Sequence, residues 1–179
     1  MSELAERSRP AIEPSLFRQL LGCFPTGVAV IATRTSDGQP AGLTCNSFSS
    51  VSLDPPLVLV CVDRTAVSHP ALEAHGWFAI NVLGRDQTHL SRRFALSGGD
   101  KFGDLSFHEG LARLPLLDGV LATLECRLVA RHEAGDHTIF VGQVEGAAAA
   151  GGHPLVYFQG DYHRLEPERT GSRVTREAS

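Results

Sequence analysis

The stretch from Gly42 to Pro56, GLTCNSFSSVSLDPP, gathers the side chains of this chain best able to hold a polar ligand. Thr44, Asn46, Ser47, Ser49, Ser50 and Ser52 interleave with Leu43, Phe48, Val51 and Leu53, a strand-like alternation of a polar and an apolar face. Such residues usually mark turns and caps. On a half-buried strand, however, each needs a partner, because a buried hydroxyl or amide without a hydrogen bond costs about 1–3 kcal/mol. A bound polar ligand is one source of partners; a polar face turned to water is the bland alternative. Further on, Arg64 and Ser68 flank the start of a predicted helix, and a helix N-terminus beside a cation suits a phosphate. His137 follows a turn in GDH, where a lone imidazole is more often a surface or capping group. Tyr162 in GDY reads by itself as an aromatic closing a barrel.

Other chemistries lack their signatures. There is no G-x-x-x-x-G-K-[ST] loop, no G-x-G-x-x-G after a strand, no H-E-x-x-H and no G-x-S-x-G. The missing dinucleotide fingerprint excludes only the Rossmann way of holding a nicotinamide nucleotide. His69, His75, His89, His108, His132, His153 and His163 share no metal-ligand spacing, and Cys23, Cys45, Cys61 and Cys126 form no C-x-x-C pair, so neither a metal nor a redox dithiol is expected. Cys23, Cys61 and Cys126 read as small core residues, whereas Cys45 lies inside the polar stretch. A net charge of −4 argues against nucleic acid or an anionic membrane as partner. The N-terminal MSELAERSRPAIEPS lacks the apolar core of a secretory signal, and the runs GVAVIA and LVLVCV are only strand-sized. A cytoplasmic protein is therefore expected.

Several elements must position these residues. Residues 1–13 have little to bury and are expected to fray. Pro14-Ser15 opens an amphipathic helix with Leu16, Phe17, Leu20, Leu21 and Phe24 on one side. Residues 26–35 are β-rich, Ser36-Asp37-Gly38 is a turn, and residues 40–49 return as the second arm of a hairpin. The run 57–62 is apolar at every position, as for a strand covered on both faces. Helices are predicted over 66–75 and 86–96, a strand over 77–83, and a long loop over 101–117. Residues 119–131 and 137–150 form a hairpin about the turn 133–136, short strands follow at 154–158 and 162–165, and the tail after Pro167 is polar enough for disorder. Strands and helices that do not alternate regularly argue against a doubly wound sheet and for one mainly β, antiparallel, Greek-key-like barrel with two to three peripheral helices, spanning 14–167 between a flexible N-terminus (1–13) and a tail (168–179).

GLTCNSFSSVSLDPPLV resembles the flavin-binding stretch of the flavin reductase family, small NAD(P)H:flavin oxidoreductases serving two-component monooxygenases. PTGVAVIAT (25–33), FAINVL (78–83), GDH (135–137) and PLVYFQGDY (154–162) follow the family order. The resemblance implies an FMN-binding split barrel, usually a homodimer, using FMN or FAD with NADH or NADPH. It further implies that Gly42, Thr44, Cys45, Asn46, Ser47, Ser49, Val62 and Asp63 bind the flavin, that Arg64 and Ser68 contact its phosphate, and that Arg93 and Phe94 close over its tail. His137 and Tyr162 would stand near the nicotinamide, with His137 as the catalytic candidate. Ala66 stands where the family often carries another hydroxyl, which leaves the number of phosphate contacts open. Unaided, Arg92 and Arg93 read as the solvated face of a helix. Nothing basic near the proposed nicotinamide residues obviously awaits a 2′-phosphate, so NADH is preferred over NADPH as the expected donor. Hydride transfer needs proximity and orientation rather than a protein acid or base. The runner-up is a non-catalytic flavin-binding electron carrier or redox sensor on the same barrel; a pyridoxamine-phosphate oxidase-like enzyme matches the TCNSF and GDH segments less well.

Overall fold

The computed structural model describes residues 12–166; the N-terminal fraying and C-terminal disorder expected from the sequence fall, apart from Ile12 and Glu13, outside them. The fold is built on β2 (Ala29–Arg34), which is buried along its whole length. Ile31 points into the barrel with Phe78, Ile80, Val60 and Phe140, and Val30 and Ala32 point outward beneath Phe94, Phe102 and Leu114. Each such large apolar side chain contributes about 1.5–3 kcal/mol when removed from water.

β2 pairs with β3 (Pro40–Cys45) across the predicted turn and with β6 (Trp77–Val82) on its other side. β6 continues to β9 (Ala122–Ala134), β9 to β10 (His137–Ala149), β10 to β5 (Pro56–Asp63), and β5 to β4 (Ser49–Leu53). Every pair in this seven-stranded sheet is antiparallel. Its two outer strands, β3 and β4, do not pair with each other, and the sheet curls into a split barrel joined at that seam by residues 46–48. A small sheet of β1 (Thr26–Gly27), β11 (Val156–Phe158) and β12 (Asp161–His163) lies beside the seam's upper strand, and β7 (Phe107–Glu109) pairs with β8 (Pro115–Leu117). Three helices decorate the barrel: α1 (Pro14–Gly22), α2 (His69–His75) and α3 (Thr88–Ala95). Among the described residues no helix is long and apolar enough to cross a membrane.

Several expectations need correction. The strand predicted over 40–49 breaks at 46–48, because the chain must cross from one sheet edge to the other while keeping its alternation. β5 is not covered on both faces: Val58, Val60 and Val62 are buried, but Leu57, Leu59 and Cys61 are only half buried. The helix predicted from Ala66 begins at His69, with Pro70 in its first turn, where the missing N–H costs nothing. The predicted loop holds only over residues 101–106; residues 107–117 form a hairpin around a 3-10 turn, and the whole segment buries Phe102, Leu114, Leu116 and Leu117. It is fastened by the fully buried Asn81, which bonds the Pro115 carbonyl and the Leu117 N–H, and by Arg34, which reaches Glu109 and the Arg113 carbonyl. α1 forms as predicted, yet none of its residues is buried. Cys23, read as a core residue, is exposed at its end.

Candidate active site

A cavity of about 480 Å³ opens at the seam. Its walls are residues 24–29 from one side, 45–49 from the other, and Val82. Val28, Ala29 and Val82 give an apolar floor; the side chains of Thr26, Asn46, Ser47 and Ser49 bring polar atoms to the rim. Such a space, mostly apolar with a few convergent polar groups, suits a flat aromatic ligand with a polar edge. Exposed Asn46 is steadied by one bond from Nδ2 to Thr26 Oγ1 at 3.3 Å. Ser49 is exposed and donates only to the neighbouring Ser50 carbonyl. Cys45 turns into the barrel, its Sγ 3.0 Å from Ser47 Oγ, and burial pushes its thiol pKa up.

Several hydroxyls expected to face a flavin find their partners inside the chain instead, which is how so polar a stretch tolerates burial. Thr44 donates to the Ser91 carbonyl at 2.6 Å. Ser47 donates to the Cys61 carbonyl and accepts from the Cys61 N–H, both at 2.9 Å, clasping the 46–48 crossing to β5. Ser68 stands at the start of α2 but caps nothing; its buried hydroxyl donates to the Gly42 carbonyl at 3.0 Å. The same carbonyl receives the Lys101 ammonium at 3.2 Å, and burial lowers the Lys101 pKa. Gly42 is glycine for packing: a Cβ there would stand 2.9 Å from the Ile31 carbonyl oxygen and 3.1 Å from the Phe94 ring. The Val62 side chain is fully buried in the barrel, and Phe94 is buried edge-on against Phe102, so neither presents side-chain surface to a ligand. Arg93 is ion-paired with Asp104.

Asp63, Arg64 and His137 come together at the end of the β5–β10 ladder, where His137 pairs across from Asp63. The Asp63 carboxylate accepts from the Thr65 N–H and hydroxyl, both at 2.7 Å. These bonds, more than the nearby His137 and His69, hold its pKa below the usual range. Arg64 is exposed, 3.8 Å from Glu133. His137 Nδ1 lies 2.7 Å from Asp136 Oδ1, and that bond holds the Asp136 carboxyl low. With Nδ1 donating to Asp136, Nε2 is the atom left for a ligand.

Tyr162 belongs to a separate group. Its hydroxyl is 2.8 Å from Ser91 Oγ, and its ring meets Tyr157, the cross-strand partner of Thr26. Fully buried Ser91 thus ties Tyr162 to Thr44 through its own hydroxyl and carbonyl. Among the described residues no hydrogen bond or ring contact joins Tyr162 to His137. Sequence reasoning gave no role to Thr26, Ser91 or Lys101; Thr26 lay within the PTGVAVIAT motif, but Ser91 and Lys101 carried no signal.

The flavin reductase-like domain model matches residues 21–166. The chain belongs to the flavin reductase family. This flavin reductase is 40% identical over 162 residues to the reductase subunit HsaB of a flavin-dependent monooxygenase from Mycobacterium tuberculosis, covering 89% of this chain and 86% of that one. It is 47% identical over 149 residues to the NADH-dependent FMN reductase SmoA of Agrobacterium fabrum, covering 83% and 84%. Its fold superposes with a TM-score of 0.81 on the NADH:FAD oxidoreductase SgcE6 of Streptomyces globisporus, solved with NAD and FAD fragments, at 38% identity and covering 90% and 99% of the two chains. The mainly β, antiparallel split barrel expected from the sequence is the architecture of this flavin reductase.

Proposed function

We propose that the chain takes FMN or FAD with its ring in the seam cavity, reduces it with NADH or NADPH, and releases it to a separate monooxygenase component. The observation that carries this is the cavity itself: an apolar floor beneath the side chains of Thr26, Asn46 and Ser49, in a chain of this family. The bound flavin supplies the hydride acceptor. Asn46 and Thr26 orient its polar edge, the β2 and β6 side chains exclude water from beneath it, and the Ser47 clasp fixes the wall. Arg64 is placed for the phosphate end. Tyr162, held by Ser91, packs the nicotinamide, and His137 contributes Nε2 with its ring oriented by Asp136. Catalysis here is positioning, and a mere electron carrier needs no such nicotinamide-facing groups.

The same reading makes the protein a cytoplasmic homodimer. Leu16, Phe17, Leu20 and Leu21 on α1, Phe24 just beyond it and Leu53 at the end of β4 are all exposed. A nine-residue helix does not hold together by its own propensity, so a second copy covering α1 accounts for both. Phe24 also lines the cavity, so under this reading the dimer contact lies beside the site. Sedimentation of a monomer at micromolar concentration with flavin binding intact would remove the dimer.

Anaerobic mixing of the protein with FMN or FAD and NADH or NADPH, followed by flavin bleaching, tests the activity. Asn46→Ala should raise the flavin dissociation constant, whereas His137→Ala should slow reduction with flavin affinity nearly unchanged. Reduction at the wild-type rate by the His137 variant refutes the role given to that residue.

A further inference from the structure

Tyr162 is covered on a third side. The Arg92 guanidinium carbon stands 5.8 Å from its ring centroid, the distance of a cation–π contact. Arg92 is exposed on α3, and among the described residues it joins no ion pair, whereas its neighbour Arg93 is neutralised by Asp104. Stacking fixes the plane of a guanidinium while leaving its N–H edge free, the arrangement suited to bidentate contact with phosphate oxygens. The two arginines that look alike in sequence are thus different groups: one is spent inside the protein, the other is an oriented and uncompensated cation. Its place is also defined, because Ser91, the residue before it, holds both Tyr162 and Thr44 on β3.

We propose that Arg92 binds the pyrophosphate of the nicotinamide nucleotide while Tyr162 receives its nicotinamide end. This rests on the placement of Tyr162 under the proposed function. A dianionic donor approaching a chain of net charge −4 meets overall repulsion, so one positive group at the entry to the nicotinamide position governs how well the donor is held. Arg92 is accordingly a binding and specificity-determining residue, with no part in the hydride step.

The test compares NADH with 1-benzyl-1,4-dihydronicotinamide, a donor with the same reacting ring and no phosphate. Arg92→Ala should raise KM for NADH roughly tenfold, the change for a lost charge-assisted bond, with kcat and the flavin dissociation constant held. Its kcat/KM for the benzyl donor should match wild type, and its kcat/KM for NADH should depend less on salt. Arg92→Lys should recover part of the NADH affinity. Equal losses with both donors overturn the proposal, because the residue would then act only by packing the Tyr162 ring. An unchanged KM for NADH overturns it as well. So does a rise in KM for FMN not seen with riboflavin, which would assign Arg92 to the flavin phosphate. Wild-type protein that oxidises neither donor is a different failure, of the activity itself, and is read before any variant.

Discussion

Replacing Ser47 by alanine separates a wall-building hydroxyl from a ligand-binding one. The Ser47 Oγ makes two bonds of 2.9 Å to the backbone of Cys61, and no other side chain bonds those groups. Ser47→Ala leaves an N–H and a carbonyl of a half-buried strand without their partner, at about 1–3 kcal/mol for the unsatisfied donor. Partial access of water argues for the middle of that range, about 2 kcal/mol. For a chain of this size that corresponds to a fall in Tm of roughly 4–8 °C. Asn46→Ala, one residue away, loses a single 3.3 Å bond at an exposed position, so its stability should stay within about 0.5 kcal/mol of wild type. Its flavin dissociation constant should instead rise about fivefold, for roughly 1 kcal/mol. Thermal unfolding at fixed protein concentration, without flavin, beside fluorescence titration with FMN and FAD, reads both quantities. If Ser47→Ala melts with the wild type, or if Asn46→Ala is the less stable of the two, the division of labour between these neighbours is refuted.

Gly142→Ala should destabilise by about 1–3 kcal/mol or more through overpacking, since a Cβ there would lie 2.5 Å from Phe78 Cζ and 2.8 Å from Cys126 Cβ; an unchanged urea midpoint would count against this packing. At pH 8 a disulfide thiol reagent should label exposed Cys23 first and half-buried Cys61 more slowly. Buried Cys45 and Cys126 should react only in denaturant, the Cys126 thiol being pushed up to about 12 chiefly by burial; rapid labelling of Cys126 in the native protein contradicts this. Asp118 accepts from Ser106 and His108, which hold its carboxyl below the usual 3.8. Its folded pKa is depressed, so its contribution is full above the unfolded value and is lost as pH falls from there through the folded one. Asp118→Asn should therefore lose less Tm than wild type between pH 5 and pH 3, and equal losses would dismiss the contribution.

What the sequence made legible was whatever repeats locally. The β-rich run of residues 26–35, the period-two pattern of 119–131, the Ser36-Asp37-Gly38 turn and the helical spacing of Leu16, Phe17 and Leu20 all name their elements. The crossing at 46–48 was hidden because alternation runs through it unbroken. The hairpin at 107–117 was hidden because its strands are three residues each and its anchors, Asn81 and Arg34, are more distant in the chain than any local pattern reaches. The site divides in the same way. A polar stretch announces that its side chains need partners, and Asn46 does face the cavity. That Thr44, Ser47 and Ser68 are satisfied by carbonyls 47, 14 and 26 residues away is a property of the folded barrel, as is the placement of Arg92 over Tyr162.

The seam between β3 and β4 has a mechanical meaning. A lid would need a hinge, and a closed barrel would have to break ladder bonds to admit a ring. Here the two edges are fastened to their surroundings by buttons rather than stitches: the hydroxyl of Ser47 on Cys61 and that of Ser68 on Gly42. Water replaces each of the three bonds, two at Ser47 and one at Ser68, at a net cost of about 1 kcal/mol. Undoing all three at once is then a fluctuation of about 3 kcal/mol, present in roughly one molecule in 150 at any instant, with every strand pair intact. Such a pouch loosens without unfolding the frame that shapes it.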